Sequence, residues 1–394
     1  MTKGQDKSIM LMPAIISVSL LTIMAPTAVS PALASIQAAF PDVPSTFVKL
    51  VLTLPALIMV PMGPLTARWS EKLGKKRILL IGMSLFLVFG LAGGLAAQFW
   101  QLIAARILFG VGLGIMAPLS TSLIFDFEPD PNRRSRLMGI QGSANQLGGL
   151  IFLSLSGVLA NISWRYSFLT YALVIVSILL TAFFLPSQRV EPGKTDAPKS
   201  EERLNAKIFV LAFFAMMIMA CYFVINTDLA IFMHSEGLGS ADKCGFALSV
   251  MRVPAIFMGM VLALLMKRLR DWTMPLAALV MAAGYVMIAL SHSYAMVFAA
   301  CLVIGLGGGI VLPPLMLSVP RIVGPAKLTL GVAILTSVSQ LGQFISPIYI
   351  NLFIADGVQS PLRLRFVVAA VTTVVIAFAT LLFLQSLPKK INRV

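Results

Sequence analysis

Charge is scarce in this 394-residue chain, and acid is scarcer than base. Asp, Glu, Lys and Arg make up 11% of it, with 15 acids against 30 bases. Cysteine occurs three times and histidine twice. Cys221 and Cys301 lie within apolar runs and Cys244 at the end of another, which argues against a disulfide framework. His234 and His292 stand at the ends of runs, without the companions that a metal site needs, so no metal is expected. There is also no phosphate-cradling loop, no Ser/His/Asp grouping and no polar stretch long enough for a soluble domain. A membrane enzyme or receptor therefore has nothing to support it, and no cofactor is expected.

What fills the chain is apolar. Hydrophobic residues are 58% of the sequence, against ~45–50% in soluble domains, and the mean hydropathy is +0.94. About 20 apolar residues cross the hydrocarbon core as a helix. Twelve such runs fall near 9–34, 46–66, 78–97, 100–122, 137–160, 165–185, 207–233, 245–266, 273–291, 294–317, 328–354 and 361–385. They are solidly apolar rather than alternating with period two, which predicts helices and not a barrel. The first, from Ser8 to about Phe40 with Pro26 and Pro31 inside it, is far longer than a cleaved signal's ~7–15-residue apolar region. The expected fold is an all-α polytopic membrane protein with twelve transmembrane helices.

The basic residues give the orientation. They cluster at Lys3 and Lys7; Arg68, Lys72 and Lys75–Arg77; Arg133, Arg134 and Arg136; Arg189 to Lys207; Lys267, Arg268 and Arg270; Arg321 and Lys327; and Lys389, Lys390 and Arg393. With twelve spans, these 23 of the 30 bases share one side. The opposite loops hold Lys49, Arg165, Lys243, Arg363 and Arg365. The positive-inside bias predicts cytoplasmic termini in the cell membrane. The net charge of +15 follows from this topology and from anionic headgroups, and calls for no nucleic acid.

The polar segment 187–207, with mixed charge and two prolines, reads as a cytoplasmic linker between bundles of six spans, 1–186 and 208–394. The halves repeat. "GVGLGIMAP" (Gly110–Pro118) in span four matches "GLGGGIVLP" (Gly305–Pro313) in span ten at an offset of 195. "SANQLG" (Ser143–Gly148) in span five matches "SVSQLG" (Ser337–Gly342) in span eleven at an offset of 194. Two matches at nearly one offset, in equivalent spans, point to the six-plus-six organisation of secondary transporters, with a site near the midplane.

Here the chain resembles the major facilitator superfamily over essentially its whole length. The family's signature between spans two and three is Gly-x-x-x-Asp-Arg-x-Gly-Arg-Arg. The equivalent stretch reads "ARWSEKLGKK", with Ala67, Glu71, Lys72, Gly74, Lys75 and Lys76 at the motif positions. Ala replaces the first Gly and Glu the Asp, while the glycine and the basic tail match. Arg106 followed by Gly110, Gly112 and Gly114 is similar to the family's span four, and "RRSRLMG" (Arg133–Gly139) to its start of span five. Related antiporters have an acid at the end of span four that faces the loop motif, and Asp126 stands there. The resemblance implies two pseudo-symmetric bundles and alternating access. Drug/proton antiporters of the family carry Gly-Pro-x-x-Gly-Gly in span five, and of that element "FLSLSG" (Phe152–Gly157) keeps only Gly157.

On physical grounds Gly74 permits a tight turn, Lys75 and Lys76 stay in the headgroup layer, and Lys72 is within reach of Asp126. Glu71, Lys72, Gly74, Lys75, Lys76 and Asp126 are thus candidates for a cytoplasmic gate, or simply topology anchors.

A charge at membrane depth costs at least ~2.5–3.5 kcal/mol and needs a partner or a wet cavity. Arg106, Asp228 and Arg252 lie inside spans. Asp228 and Arg252 both fall roughly 8–10 Å below the outer boundary of sequential antiparallel spans, so they could pair. They could equally be a static bridge, snorkelling side chains or a proton-responsive pair. The resemblance gives Arg106 a place in the central cavity. Among uncharged residues, Gln141 and Asn145 share a face of span five, Gln340 and Gln343 share one of span eleven, and Asn226 lies beside Asp228. Such amides either bond a neighbouring helix or line water.

The expected activity is secondary transport of a small molecule through the bilayer by a monomer, with protons as coupling ion and a lipophilic or drug-like compound exported. The alternative is an organic-anion symporter, exchanger or facilitator that clamps a carboxylate with Arg106 and Arg252.

Overall fold

The computed structural model describes residues 3–22, 25–128, 130–186, 205–324, 328–353 and 361–387. These residues form helices joined by short turns, with no strand among them. Eleven helices are long and apolar enough to cross a membrane, and a bent pair, Leu11–Leu21 with Pro26–Ala39, makes a twelfth when taken as one span. In chain order, spans two to six are Ser45–Leu73, Lys75–Leu95, Phe99–Phe127, Arg136–Ile162 and Tyr166–Phe184. Spans seven to twelve are Lys207–Ser235, Ala241–Leu262, Leu264–Ala289, Tyr294–Arg321, Leu330–Asn351 and Leu362–Gln385. The expected all-helical, twelve-run architecture is the one observed. Most of the expected linker, residues 187–204, lies outside the described residues.

Local chemistry sets the ends. Gly74, at φ 86°, turns the chain between spans two and three, a conformation that glycine adopts at no steric cost. Gln98 and Gln101 bond each other's backbone in a reciprocal box that opens span four. Ser293 accepts from Met296 N at 3.3 Å to open span ten.

The chain divides into two compact units, Met1–Gly193 with Gly239–Ser249, and Lys194–Leu238 with Val250–Val394. In the first, span four packs through its glycines. Gly110 sits against Pro55 and Ile58 of span two, Gly112 against Gly82 and Phe86 of span three, and Gly114 against Met59 and Met62. The second unit repeats the arrangement with span ten. Gly305 meets Met251, Gly307 meets Ala277 and Met281, and Gly309 meets Ala255. Likewise Gly148 packs on Leu20 in the first unit and Gly342 on Met216 in the second. The sequence repeat is thus a repeat of close helix–helix contacts, where small residues let backbones approach.

Aromatic rings fill the rest of each core. Phe86, Phe109 and Tyr171 cluster in the first unit with centroids 4.7–5.5 Å apart. Phe366 packs between Phe232 and Tyr285 in the second, at 5.3 and 6.3 Å. Also within the first unit, Gly157 of span five touches Gly245, and Ser154 Oγ donates to Ser249 Oγ at 2.8 Å. Leu95, Phe183, Met260 and Leu382 stand on outer faces, as suits contact with lipid.

Candidate functional site

In the first unit the loop motif closes onto the end of span four. Lys75 Nζ donates to both oxygens of Asp126, at 2.8 and 2.6 Å, and to Ser122 Oγ at 2.6 Å. Lys72, the partner expected from the sequence, is exposed, as is Glu71. The physical reason is the turn at Gly74. It starts the next helix at Lys75 and aims that side chain along span four, whereas Lys72 belongs to the last turn of span two. Lys76 donates to Ala182 O of span six at 2.8 Å.

Arg106 is fully buried. Its Nε donates to Val51 O at 2.6 Å, Nη1 to Tyr171 Oη at 3.0 Å and Nη2 to Pro26 O at 3.3 Å. Its charge also lies 4.6 Å from the Phe109 ring centroid, with Phe168 and Tyr171 close by. Carbonyl oxygens and ring faces thus compensate the cation, and it ties spans one, two, four and six together.

Gln141 Nε2 reaches Ser19, Ser120 and Thr121 at 3.0–3.3 Å and so bonds spans one, four and five. Asn145, one turn further on, is buried with no hydrogen-bond partner for Oδ1 among the described residues.

In the second unit Asp228 is held by Arg365, a residue first read as part of an outer loop. Arg365 Nη1 lies 3.2 Å from Oδ1, and Thr227 Oγ1 donates to Oδ2 at 2.7 Å. Arg365 Nη2 also donates to Asn351 Oδ1 at 2.7 Å, which links spans seven, eleven and twelve. Arg252 is buried beside a different pair of partners, donating to Tyr222 Oη at 2.7 Å and Asn226 Oδ1 at 3.3 Å. In span eleven, Gln343 donates to Gln340 at 2.6 Å. Among the described residues no three His, Cys, Asp or Glu side chains gather closely enough to hold a metal ion.

Arg365 and Tyr222, which hold Asp228 and Arg252, are not candidates on sequence grounds, nor are Tyr171, Ser122, Thr227 and Asn351. Arg365, like Lys49, lies near the start of its helix rather than in a loop, and both are buried. A basic residue inside the predicted limits of a span was the signal. Tyr222 carries none, because an aromatic in an apolar run looks like core.

Comparison with known proteins extends this geometry. The profile of the Major Facilitator Superfamily matches residues 11–347 and, again, 208–393. The class D tetracycline resistance protein of Salmonella ordonez is 24% identical over 68% of this chain and 69% of its own length. The 3-(3-hydroxy-phenyl)propionate transporter of Escherichia coli is 27% identical over 52% of each chain. The puromycin resistance protein of Streptomyces alboniger is 29% identical over 44% of this chain, which spans only 35% of that relative. Among solved structures, an inward-facing bacterial homologue of the human lysosomal transporter Spinster superposes with a TM-score of 0.80 over 98% of both chains, at 16% identity. The nucleoside transporter NupG gives 0.77 over 95% of this chain and 98% of its own, at 14% identity. A helical chain with paired glycine-packed units, matched by one profile along nearly all its length, is a multi-pass membrane transporter, and it belongs to the Major Facilitator Superfamily.

Proposed function

We propose that the chain is a proton-coupled exporter of small lipophilic molecules in the cell membrane, with both termini cytoplasmic. Its two six-span halves, 1–186 and 208–394, alternate access to a central path. The relatives named for tetracycline and puromycin resistance support efflux, and the clustering of basic residues supports the orientation. The observation that carries the coupling is Asp228. It is the one acid buried among the described residues, and it is held by a guanidinium and a hydroxyl inside a membrane span. A carboxylate there can take a proton when Arg365 lets go and lose it when the pair reforms, which gives two states with different proton affinity. Lys75 and Asp126 serve as a gate that opens and closes with those states. Gln141 and Asn145 in the first half and Gln340, Gln343 and Asn226 in the second are the polar side chains assigned to substrate and protons, while Arg106 braces the first half.

Reconstitution in proteoliposomes tests this. Flux of tetracycline and of a lipophilic dye is measured with and without an imposed pH gradient. Wild-type flux should follow the gradient. Asp228→Asn should lose gradient-driven flux yet keep substrate exchange without a gradient, which also reports that the variant is folded. Unchanged pH dependence in Asp228→Asn would remove Asp228 from the coupling.

A further inference from the structure

Two arginines are buried in this chain without a carboxylate partner among the described residues, and they are neutralised very differently. Arg106 spends its N–H groups on two carbonyl oxygens and a phenol and lies against three ring faces. Among the described residues Arg252 has neither carbonyl nor ring. Its contacts are the Tyr222 hydroxyl and the Asn226 amide oxygen, and its Nε has no hydrogen-bond partner, although the residue is only 1% exposed. The nearby acid of the same span, Asp228, is engaged by Arg365. The interior of the second unit therefore carries one guanidinium whose charge is held in place but not balanced, with a donor left over.

The backbone around it is also irregular. Span ten loses its helix at Gly309–Leu312 and resumes at Pro313. Gly308, just before the break, packs on the ring of Tyr222, and Gly309 on Ala255, one turn beyond Arg252. Interrupted spans at membrane depth are tolerated where they border a cavity or a ligand. The ion-paired Arg365 also leaves its Nε unpartnered, but among the described residues only at Arg252 does an unused donor coincide with an unbalanced charge and a helix break.

We propose that Arg252 is the anchoring point for the acidic group of the transported molecule, which is therefore a lipophilic organic monoanion. Tyr222 and Asn226 orient the guanidinium so that Nε and one Nη face the incoming carboxylate as a two-pronged donor, the geometry in which arginine binds carboxylates best. The anion neutralises the buried charge on arrival. This deepens the export reading and rests on it for the statement that the bound molecule is also moved.

The test uses the purified full-length protein in detergent, with 2-naphthoate and its uncharged analogue 2-naphthamide as probes. Binding is measured by calorimetry and by thermal stabilisation. Naphthoate should bind wild type roughly tenfold or more tightly than naphthamide, as expected for a charge-assisted bond. Arg252→Gln should abolish the difference, and Arg252→Lys should restore part of it. The unfolding midpoint of Arg252→Gln reports whether that variant is folded, and Tyr222→Phe, which removes one group that orients the guanidinium, should reduce the preference without abolishing it. Equal binding of acid and amide by wild type, or no binding of either, overturns the proposal, as does a preference that survives in a folded Arg252→Gln. Because binding is read without flux, the two readings fail separately. Gradient-driven dye export with no anion preference sinks the anchor alone, and anion preference without gradient-driven flux sinks the coupled exporter alone.

Discussion

Arg365 and Asp228 form a buried ion pair, Nη1 to Oδ1 at 3.2 Å, between spans twelve and seven. Removing one member of such a pair leaves the other charged and alone, at a cost of about 3–5 kcal/mol, whereas removing both is far milder. Asp228→Asn and Arg365→Gln should therefore each lower the thermal unfolding midpoint in detergent clearly. The double variant should recover much of the loss. A double variant as unstable as the two single losses added together would mean that the residues are not energetically coupled.

The loop motif makes a prediction of a different kind. Lys75 and Asp126 are each about one quarter exposed, so their attraction contributes little to stability, in the range of ~0.2–1 kcal/mol. Lys75→Ala and Asp126→Asn should leave unfolding midpoints within a degree or two of wild type while lowering transport several-fold. Lys72→Ala, which touches neither oxygen of Asp126, should transport nearly as wild type does. If Lys72→Ala and Lys75→Ala prove equally impaired, the gate is not the contact seen here but the local positive charge.

Arg106 should act on stability first. Arg106→Gln forfeits a fork of three hydrogen bonds and three ring contacts, which together imply a loss of several kcal/mol, with hydrogen bonds to a charged group worth about 1.5–3 kcal/mol each. Tyr171→Phe removes one of those bonds and should cost about 1–3 kcal/mol. Lysine in place of Arg106 cannot reproduce the planar fork and should rescue little. Thermal unfolding checks the order Tyr171→Phe milder than Arg106→Lys, and Arg106→Lys no milder than Arg106→Gln. A neutral Arg106→Gln would show that the carbonyls and rings do not depend on the cation.

How much of this was legible beforehand follows from what each residue type advertises. Twelve runs, the halving and the glycine repeat were readable because a membrane span is written in composition and length, and because close helix contact demands small residues at fixed spacing. The partners of the charges were not. Asp228 and Arg252 lie at similar depth on adjacent spans, which is all that sequence can weigh. Which guanidinium reaches the acid depends on helix rotation, and rotation is decided by packing such as that of Phe366 between Phe232 and Tyr285. The same limit separates Lys72 from Lys75, three residues apart but on either side of a turn whose φ of 86° redirects the chain. Gln141 and Asn145 share one face, as their spacing requires, yet one bonds three hydroxyls and the other keeps an acceptor unused.

The glycine repeat itself can be tested position by position. A methyl group at Gly112 would meet Gly82 O at 2.7 Å and Phe86 N at 2.8 Å, and one at Gly307 would meet Ala277 O and Met281 N. Those are backbone atoms, so whole helices must shift, and overpacking of this kind typically costs 1–3 kcal/mol. Gly63 and Gly259 have nothing within 4 Å of the added carbon, and there alanine should be neutral or stabilising by about 0.5–1 kcal/mol, the ordinary advantage of alanine over glycine in a helix. Four single Gly→Ala variants, compared by unfolding midpoint in one detergent, should thus separate into two lowered and two unchanged or raised. Equivalent losses at Gly112 and Gly307 would establish that each unit depends on the same helix contact, at positions 195 residues apart in the chain. A Gly307→Ala variant as stable as Gly259→Ala would confine that dependence to the first unit.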